Sequence, residues 1–220
     1  MKNSKRKGKI AFTVGALLIL AFTVWTALVS TIDLQAIGPR GSCVGFATLN
    51  GFFHNLIGTN MTLYIITDWL GLVPIAVALG FAILGLAQWI KRKSIFKVDK
   101  HILALGVFYI AVIAVYVLFE FIVINRRPVL ISGYLEASYP SSTTMLVACI
   151  MPSALMVLKE RIKSKRLRNI IFSTIIAFTA FMIIGRLISG VHWLSDIIGG
   201  ALISAGLVTI YSAFITSNKK

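Results

Sequence analysis

Residues 102–124 read ILALGVFYIAVIAVYVLFEFIVI, and Glu120 is the one charged side chain in this stretch. A helix needs about 20 mostly apolar residues to cross the hydrocarbon core of a bilayer. The stretch is therefore predicted to be a membrane-spanning helix, because in lipid each backbone amide must find its partner within its own segment. Similar apolar runs predict five more spans, at residues 10–29, 69–90, 142–158, 170–189 and 197–216.

The composition of the whole chain agrees with a polytopic membrane protein. Of its 220 residues, 58% are hydrophobic and 13% are charged, whereas a soluble domain has about 25% charged residues. This composition excludes a water-soluble domain, and it excludes a disordered chain, which needs low hydrophobicity. The first apolar run is long and lacks a clear small-residue cleavage site, so we interpret it as a span and not as a signal peptide. The predicted fold class is all-α, a six-helix transmembrane bundle.

The positions of the basic residues explain the net charge of +15. Most of the 22 Lys and Arg residues lie at the N-terminus, after the second and fourth spans, and at the C-terminus. By the positive-inside rule these segments and both termini face the cytoplasm, in a multi-pass protein of the cell membrane. Residues 1–9 are then a basic cytoplasmic N-terminus, residues 10–216 the membrane domain and residues 217–220 a cytoplasmic tail. Because topology accounts for the charge, the expected partner is the lipid bilayer and not nucleic acid.

The first outer connection, residues 30–68, is long enough to hold structure of its own. Apolar residues recur at helical spacing from Phe46 to Ile57, with polar residues between them. This pattern predicts a short amphipathic helix on the outer membrane surface. Such a helix could guide a lipid head group or simply pack over the bundle as a lid, and the pattern does not distinguish the two. His54 lies on its polar face and is a candidate proton donor.

Three polar segments fall on the side of the membrane opposite the basic segments. They are Arg126-Arg127-Pro128 after the third span, residues 139–144 (YPSSTT) at the start of the fourth, and Arg186, His192 and Asp196 between the fifth and sixth. Ionisable residues at or within a span are costly and mark candidate functional sites. The topology was inferred without these motifs, so their gathering on one face indicates an outer-face site.

These side chains fit phosphate chemistry. Two arginines offer forked donors for phosphate oxygens, and Ser141 with the amides opening the fourth helix adds neutral donors at a positive helix end. His192 is a candidate nucleophile or base, and Asp196, four residues later, could hold its imidazole. A histidine nucleophile facing a phosphate site predicts transfer through a phosphohistidine, and hydrolysis of that intermediate would make the chain a phosphatase. The two cysteines form no C-x-x-C metal pair, and we expect no metal or cofactor.

The order of the motifs resembles the type 2 phosphatidic acid phosphatase family. That family carries Lys-x6-Arg-Pro, then Pro-Ser-Gly-His, then Ser-Arg-x5-His-x3-Asp. The corresponding segments of this chain are Glu120-x6-Arg127-Pro128, Pro140-Ser141-Ser142-Thr143 and Gly185-Arg186-x5-His192-x3-Asp196. The third segment matches the family spacing fully, and the resemblance covers the six-span core.

The resemblance implies a metal-independent enzyme that acts on a lipid phosphate near the outer leaflet. Phosphatidic acid, phosphatidylglycerol phosphate and polyprenyl pyrophosphates are the substrates that it implies. The histidine would attack phosphorus, the aspartate would orient it, and the arginines and serines would bind the phosphate. The implied catalytic residues are His192 and Asp196, and the implied phosphate-binding residues are Arg127, Arg186, Ser141 and Ser142.

Two departures from the family pattern bear on catalysis. Thr143 stands where the family's second histidine protonates the leaving group, and losing general-acid help costs about 10²–10⁴-fold in rate. Glu120 stands where the family has a phosphate-binding lysine, on the same helix face as Arg127. We therefore expect Glu120 to pair with Arg126 or Arg127, or to be protonated. Arg126 is a candidate replacement for the missing lysine.

Two functions stay open at this point. The first is a working phosphatase, because a good leaving group, such as phosphate leaving from a pyrophosphate, needs less protonation. The second is a protein of the same fold that binds or transports a lipid phosphate without hydrolysing it. Retention of the His192–Asp196 pair and of both arginines favours the enzyme.

Overall fold

The computed structural model describes residues 2–217, a range that is mainly helical and holds no β-strand. The α-helices in it are α1 (Lys2–Thr31), α2 (Ala47–Ile57), α3 (Met61–Leu70), α4 (Leu72–Arg92), α5 (Lys100–Phe121), α6 (Ser142–Arg161), α7 (Lys165–Ile188) and α8 (Leu194–Ser217). Helices α3 and α4 follow each other as one span, so the described residues hold six segments long and apolar enough to cross a membrane. The predicted all-α, six-span fold class is confirmed.

The second span begins earlier than predicted, at Met61 and not at residue 69. The side chain of Asn60 caps α3, because its Oδ1 accepts a hydrogen bond from the amide of Leu63 at 2.9 Å. Polar residues in α3 interrupt the apolar pattern, so the sequence does not show that the span begins there. The helix satisfies one of them internally, since the hydroxyl of Thr67 donates to the carbonyl of Leu63 at 2.9 Å. The first outer connection is correspondingly shorter than the predicted residues 30–68.

Helical structure also extends past other predicted limits. Helix α1 begins at Lys2, so residues 2–9, expected as a segment ahead of the first span, form its first turns. Helix α6 continues to Arg161, which gives the fourth span 20 residues where the sequence suggested a short one. Of the predicted tail, residues 217–220, only Ser217 lies within the described residues, as the last residue of α8.

Helices α6 and α8 form the middle of the bundle. In the most apolar window of each span, 56% of the residues are buried in α6 and 44% in α8, against 6% in the α3–α4 span. Helix α1 lies antiparallel along α8, where small residues allow close approach of the backbones. A Cβ built on Gly206 would lie 2.7 Å from Cδ1 of Ile19. The α3–α4 span is therefore left mostly exposed to lipid, while α6 and α8 are covered.

The connections that precede α3, α6 and α8 gather at one end of the bundle. Near the end of α1, Nε1 of Trp25 donates to the carbonyl of Ser195 at 3.1 Å, and the hydroxyl groups of Thr26 and Tyr139 are 2.7 Å apart. The amphipathic helix α2, which the sequence predicted, is fixed to this end by the buried Asn50. Its Oδ1 accepts from the amide of Ser195 at 3.1 Å, and its Nδ2 donates to the hydroxyl of that serine at 2.9 Å.

Candidate active site

A tight turn between α7 and α8 carries His192. Gly190 has a φ of +65°, which glycine adopts more readily than residues with a side chain. It also approaches the α2–α3 connection so closely that a Cβ would lie 1.9 Å from the carbonyl oxygen of Gly58. The turn ends at Leu194, where α8 begins, and Asp196 lies in the first turn of that helix. His192 and Asp196 are four positions apart, and the start of α8 brings their side chains close together.

His192 lies against both predicted phosphate-binding arginines. Its Nε2 is 3.2 Å from Nη1 of Arg127 and 3.5 Å from Nη2 of Arg186. The three residues are buried, with exposures of 1% for Arg186, 4% for His192 and 8% for Arg127. With the ring proton on Nδ1, both guanidinium groups donate toward the electron pair of Nε2. An anion that both groups bind would therefore lie next to Nε2.

The surroundings of His192 favour a neutral imidazole. Burial lowers the pKa of His192 well below its ordinary value of 6.5, and the positive charges of Arg127 and Arg186 lower it further. The backbone of Ser138 hydrogen-bonds the ring and acts in the opposite direction, as the smaller cause. A neutral ring keeps a free electron pair on Nε2, which a nucleophile requires.

Asp196 faces the other nitrogen of the ring. Its Oδ2 is 3.7 Å from Nδ1 of His192, beyond hydrogen-bond distance, and accepts from the amide of Trp193 at 3.0 Å. Its Oδ1 accepts from Nδ2 of Asn125 at 3.3 Å. Asn125 directly precedes Arg126-Arg127-Pro128. Its amide carries no charge, and its sequence position did not mark it as part of the site. These contacts fix the carboxylate behind the imidazole, where it can stabilise a positive ring.

Each arginine also contacts a carboxylate that the sequence analysis did not single out. Nε of Arg127 is 2.9 Å from Oε2 of Glu136, and Nη1 of Arg186 is 3.5 Å from Oδ1 of Asp68. The sequence had suggested Glu120 as a candidate partner of Arg127. The partner in the structure is Glu136. Backbone pairing explains this, because the amide of Arg127 donates to the carbonyl of Glu136 at 3.1 Å. The side chains of Glu136 and Asp68 are 44% and 56% exposed, whereas both arginines are buried.

A cavity of about 410 Å³ opens in front of His192. Its size lies within the range of about 300–1,000 Å³ that is usual for small-ligand sites. Predicted site residues from three segments line it together with aromatic side chains from the end of α5 and the loop that follows. Its lining residues that matter here are Tyr116, Glu120, Arg127, Glu136, Tyr139, Ser142 and His192.

Arg126 and Thr143 do not line this cavity, and neither do the predicted residues Arg186, Ser141, Asp196 and His54. The guanidinium of Arg126 donates to the carbonyl of Leu135 at 3.0 Å, so it holds the α5–α6 loop. Thr143 turns a methyl group toward the α3–α4 junction, where its Cγ2 is 3.6 Å from the position of a Cβ built on Gly71. Arg126 is the candidate replacement for the family's lysine, and Thr143 stands in place of the family's second histidine. Neither residue borders the cavity.

Ser141 and Ser142 have different positions at the start of α6. Ser141 is buried and acts as the N-cap, with its hydroxyl 3.5 Å from the amide of Thr144. Its own amide donates to the carbonyl of Asp196 at 3.0 Å, which joins the second and third motifs. Ser142, the first residue of the helix, borders the cavity. The positive end of α6 thus lies at the cavity wall, and an anion is favoured there.

His54 lies behind the site, on α2. Its ring packs edge-on against Trp193, with the ring centroids 5.5 Å apart, and partial burial lowers the pKa of His54. It borders a separate gap of about 10 Å³ beside His192 and not the 410 Å³ cavity. This gap holds about one water molecule at most.

The arrangement of acidic and thiol groups offers no metal centre within residues 2–217. No cluster of three or more His, Cys, Asp or Glu side chains in that range could hold a metal ion. The polar groups that line the cavity include the imidazole of His192, the guanidinium of Arg127, the carboxylates of Glu120 and Glu136, and hydroxyl groups.

Comparison with known proteins finds a family model and a solved structure that are similar to this chain. The family model of the PAP2 superfamily matches residues 120–220, a range that contains all three outer-face motifs. The matched range begins at the end of α5 and includes α6 and α7. Its structure is similar to the crystal structure of the first transmembrane PAP2 type phosphatidylglycerolphosphate phosphatase from Bacillus subtilis, with a TM-score of 0.57 and 20% sequence identity over 94% of this chain and 98% of that chain. No curated protein matches the chain in sequence.

The family match confirms the resemblance to the type 2 phosphatidic acid phosphatases over residues 120–220. At 20% identity, the structural similarity shows the fold alone. The protein is thus a multi-pass membrane protein with the fold of a lipid phosphatase.

Proposed function

We propose that this protein is a lipid-phosphate phosphatase that transfers the phosphoryl group to Nε2 of His192. One observation carries the proposal. The buried Nε2 lies within 3.5 Å of both the Arg127 and the Arg186 guanidinium groups, with the Asp196 carboxylate on the opposite side of the ring. The same four side chains would bind a phosphate, attack it and stabilise the charge that develops on the imidazole.

The reaction would proceed in two steps. In the first, the electron pair of Nε2 attacks phosphorus while the two arginines bind the non-bridging oxygens, and the bond to the leaving group breaks. The proton on Nδ1 stays in place, so the phosphorylated ring is positive and faces the carboxylate of Asp196. In the second step, water attacks the phosphorylated histidine, the P–N bond breaks and inorganic phosphate leaves. Ser142 and the amides at the start of α6 would contribute further donors to the phosphate.

An apolar groove supports a lipid substrate over a water-soluble one. The groove has a volume of about 630 Å³ and lies between α4, α5 and α6. Ile113 and Leu146 line the groove, while Tyr116, one turn further along α5, and Met145, next to Leu146, line the polar cavity. A hydrocarbon chain could therefore lie in the groove while its phosphate occupies the cavity. The groove accepts acyl or prenyl chains, so a polyprenyl pyrophosphate remains among the proposed substrates.

We further propose that the site opens on the extracytoplasmic side of the cell membrane. The basic segments Lys91–Lys93 and residues 159–168 lie at the opposite ends of their helices from the cavity. By the positive-inside rule those ends face the cytoplasm, and so do both termini.

A second candidate function is binding or transport of a lipid phosphate without hydrolysis. The observation that favours it is the position of Thr143, which stands in place of the family's acid and does not border the cavity. In this case the arginines would bind the phosphate and His192 would not react.

Phosphate release by the purified protein in detergent tests the two functions against each other. The substrates would be phosphatidic acid, phosphatidylglycerol phosphate, undecaprenyl phosphate and undecaprenyl pyrophosphate, with His192→Ala as the control. We expect release from at least one lipid, and its loss in the control. Equal release by both proteins would contradict the proposed enzyme, and tight lipid-phosphate binding without release would support the binding function.

A further inference from the structure

The proposed phosphatase lacks an obvious proton donor for the leaving group. Attack on a phosphomonoester leaves an alkoxide, which is a poor leaving group unless a proton reaches it in the transition state. The family's histidine is replaced by Thr143, whose side chain lies against the α3–α4 junction and outside the cavity. Another residue at the cavity could supply this proton.

Most titratable groups at the cavity are already engaged. His192 is the proposed nucleophile, and Arg127 is proposed to bind the phosphate. The hydroxyl of Tyr139 is 2.7 Å from that of Thr26, and the hydroxyl of Tyr116 hydrogen-bonds Glu120. Of the two carboxyl groups at the cavity, that of Glu120 is bound to Tyr116, and that of Glu136 faces Arg127, which the substrate phosphate is proposed to bind.

Glu136 contacts Arg127, which in turn contacts His192. Its Oε2 is 2.9 Å from Nε of Arg127, while Nη1 of the same guanidinium is 3.2 Å from Nε2 of His192. A phosphate bound to Arg127 in front of His192 would therefore meet the Glu136 side chain. The backbone holds Glu136 there, because its carbonyl accepts from the amide of Arg127 at 3.1 Å.

We propose that Glu136 is the catalytic acid and base of this protein, and that it replaces the family's second histidine. The inference rests on the proposed phosphatase function. In the resting protein the Glu136 carboxylate is paired with Arg127. When the substrate phosphate binds this guanidinium, the Glu136 carboxyl group would lie beside the phosphate.

The proton balance of the two steps is complete with this residue. In the first step the Nε2–P bond forms, the P–O bond to the leaving group breaks, and the proton of the Glu136 carboxyl group passes to the leaving oxygen. In the second step the Glu136 carboxylate takes a proton from the attacking water, and the P–N bond breaks with its electron pair returning to Nε2. The carboxyl group is then protonated again for the next cycle. The Glu136 side chain is 44% exposed, so water can reach it.

The test compares two soluble substrates of similar size that differ in their need for an acid. Benzyl phosphate releases an alkoxide and needs the proton, whereas 4-nitrophenyl phosphate releases a stable phenolate and does not. Glu136→Gln removes the acid while keeping the size of the side chain. Glu120→Gln is the matched control, because it makes the same change in the same cavity on a side chain that does not pair with Arg127.

We expect Glu136→Gln to lower kcat for benzyl phosphate by about 10²–10⁴-fold, with a much smaller loss for 4-nitrophenyl phosphate. Glu120→Gln should keep the ratio of the two rates close to that of the wild type. Equal losses on both substrates, or a change in KM alone, would show that Glu136 only pairs with Arg127 and would overturn the proposal. If the wild type releases no phosphate, or if His192→Ala releases as much as the wild type, the proposed function itself fails. The role of Glu136 then fails with it.

Discussion

At the scale of single residues, the charge state of His192 decides whether the site can act. Burial and the neighbouring arginines Arg127 and Arg186 hold its pKa well below 6.5. An unfolded histidine takes up its proton near pH 6.5, so we expect the folded ring to stay neutral at that pH and to be protonated only below it. The same difference implies that acidification below about pH 6.5 favours the unfolded chain.

Nitrogen NMR of ¹⁵N-histidine-labelled protein in detergent measures this directly. The chain has three histidines, and the His192→Asn variant assigns the signals of His192 by their disappearance. Signals of a neutral ring at pH 6.5 are expected. A ring that titrates at or above pH 6.5 would contradict the account of its surroundings.

Residues with local partners could be predicted from the sequence, and residues with distant partners could not. His192 and Asp196 are four positions apart, so the start of one helix brings them together. The partner of Arg127 is different, because Glu136 reaches it through backbone pairing inside a loop that has no periodic pattern. Asp68 reaches Arg186 through the packing of α3 against α7. Both acidic residues looked like ordinary polar positions of an outer connection.

At the scale of helices and turns, apolar length predicted the elements, and capping decided where they end. The six spans were found because lipid requires long apolar helices. The start of α3 was missed, because Thr62, Thr67 and Asp68 break the apolar run while Asn60 still caps a helix. The amphipathic helix α2 was predicted from its spacing, but its attachment through the buried Asn50 depends on contacts with α8.

The turn between α7 and α8 is expected to depend on the absence of a side chain at Gly190. Gly190→Ala would place a Cβ 1.9 Å from the carbonyl oxygen of Gly58 and would also keep a left-handed φ. Gly41→Ala is a matched control, because Gly41 has a similar φ of +72° and open space around its Cβ position. A left-handed residue with a side chain costs about 1–2 kcal/mol, which both variants share.

We therefore expect Gly190→Ala to lower the thermal unfolding midpoint in detergent more than Gly41→Ala does, and to reduce phosphatase activity. Displacement of the turn that carries His192 is the physical reason. Equal midpoints for the two variants would show that the close approach at Gly58 does not constrain this turn.

At the scale of the whole molecule, the charge pattern and the site together predict an orientation. Cys43 is exposed in the connection between α1 and α2, at the end of the bundle that carries the cavity. Phe96 is 91% exposed in the short basic connection between α4 and α5, at the opposite end. The positive-inside rule predicts that the connection between α4 and α5 lies in the cytoplasm.

A membrane-impermeant maleimide should therefore label Cys43 in intact cells. In the Cys43→Ser background, Phe96→Cys should react only after the membrane has been permeabilised. Cys149 is buried and should not react in the folded protein. The opposite labelling pattern would place the cavity on the cytoplasmic side and would contradict the proposed orientation.

Capture of the phosphorylated protein tests the central claim, that His192 is the nucleophile of a lipid phosphatase. The protein would be mixed with a lipid phosphate that it hydrolyses and quenched rapidly in alkali, where a phosphorylated histidine survives, and the modified residue would be mapped by mass spectrometry. The account predicts phosphate on His192 during turnover and none in the His192→Ala protein. Turnover with the phosphate on any other residue, or with an unmodified His192 at every time point, would contradict it.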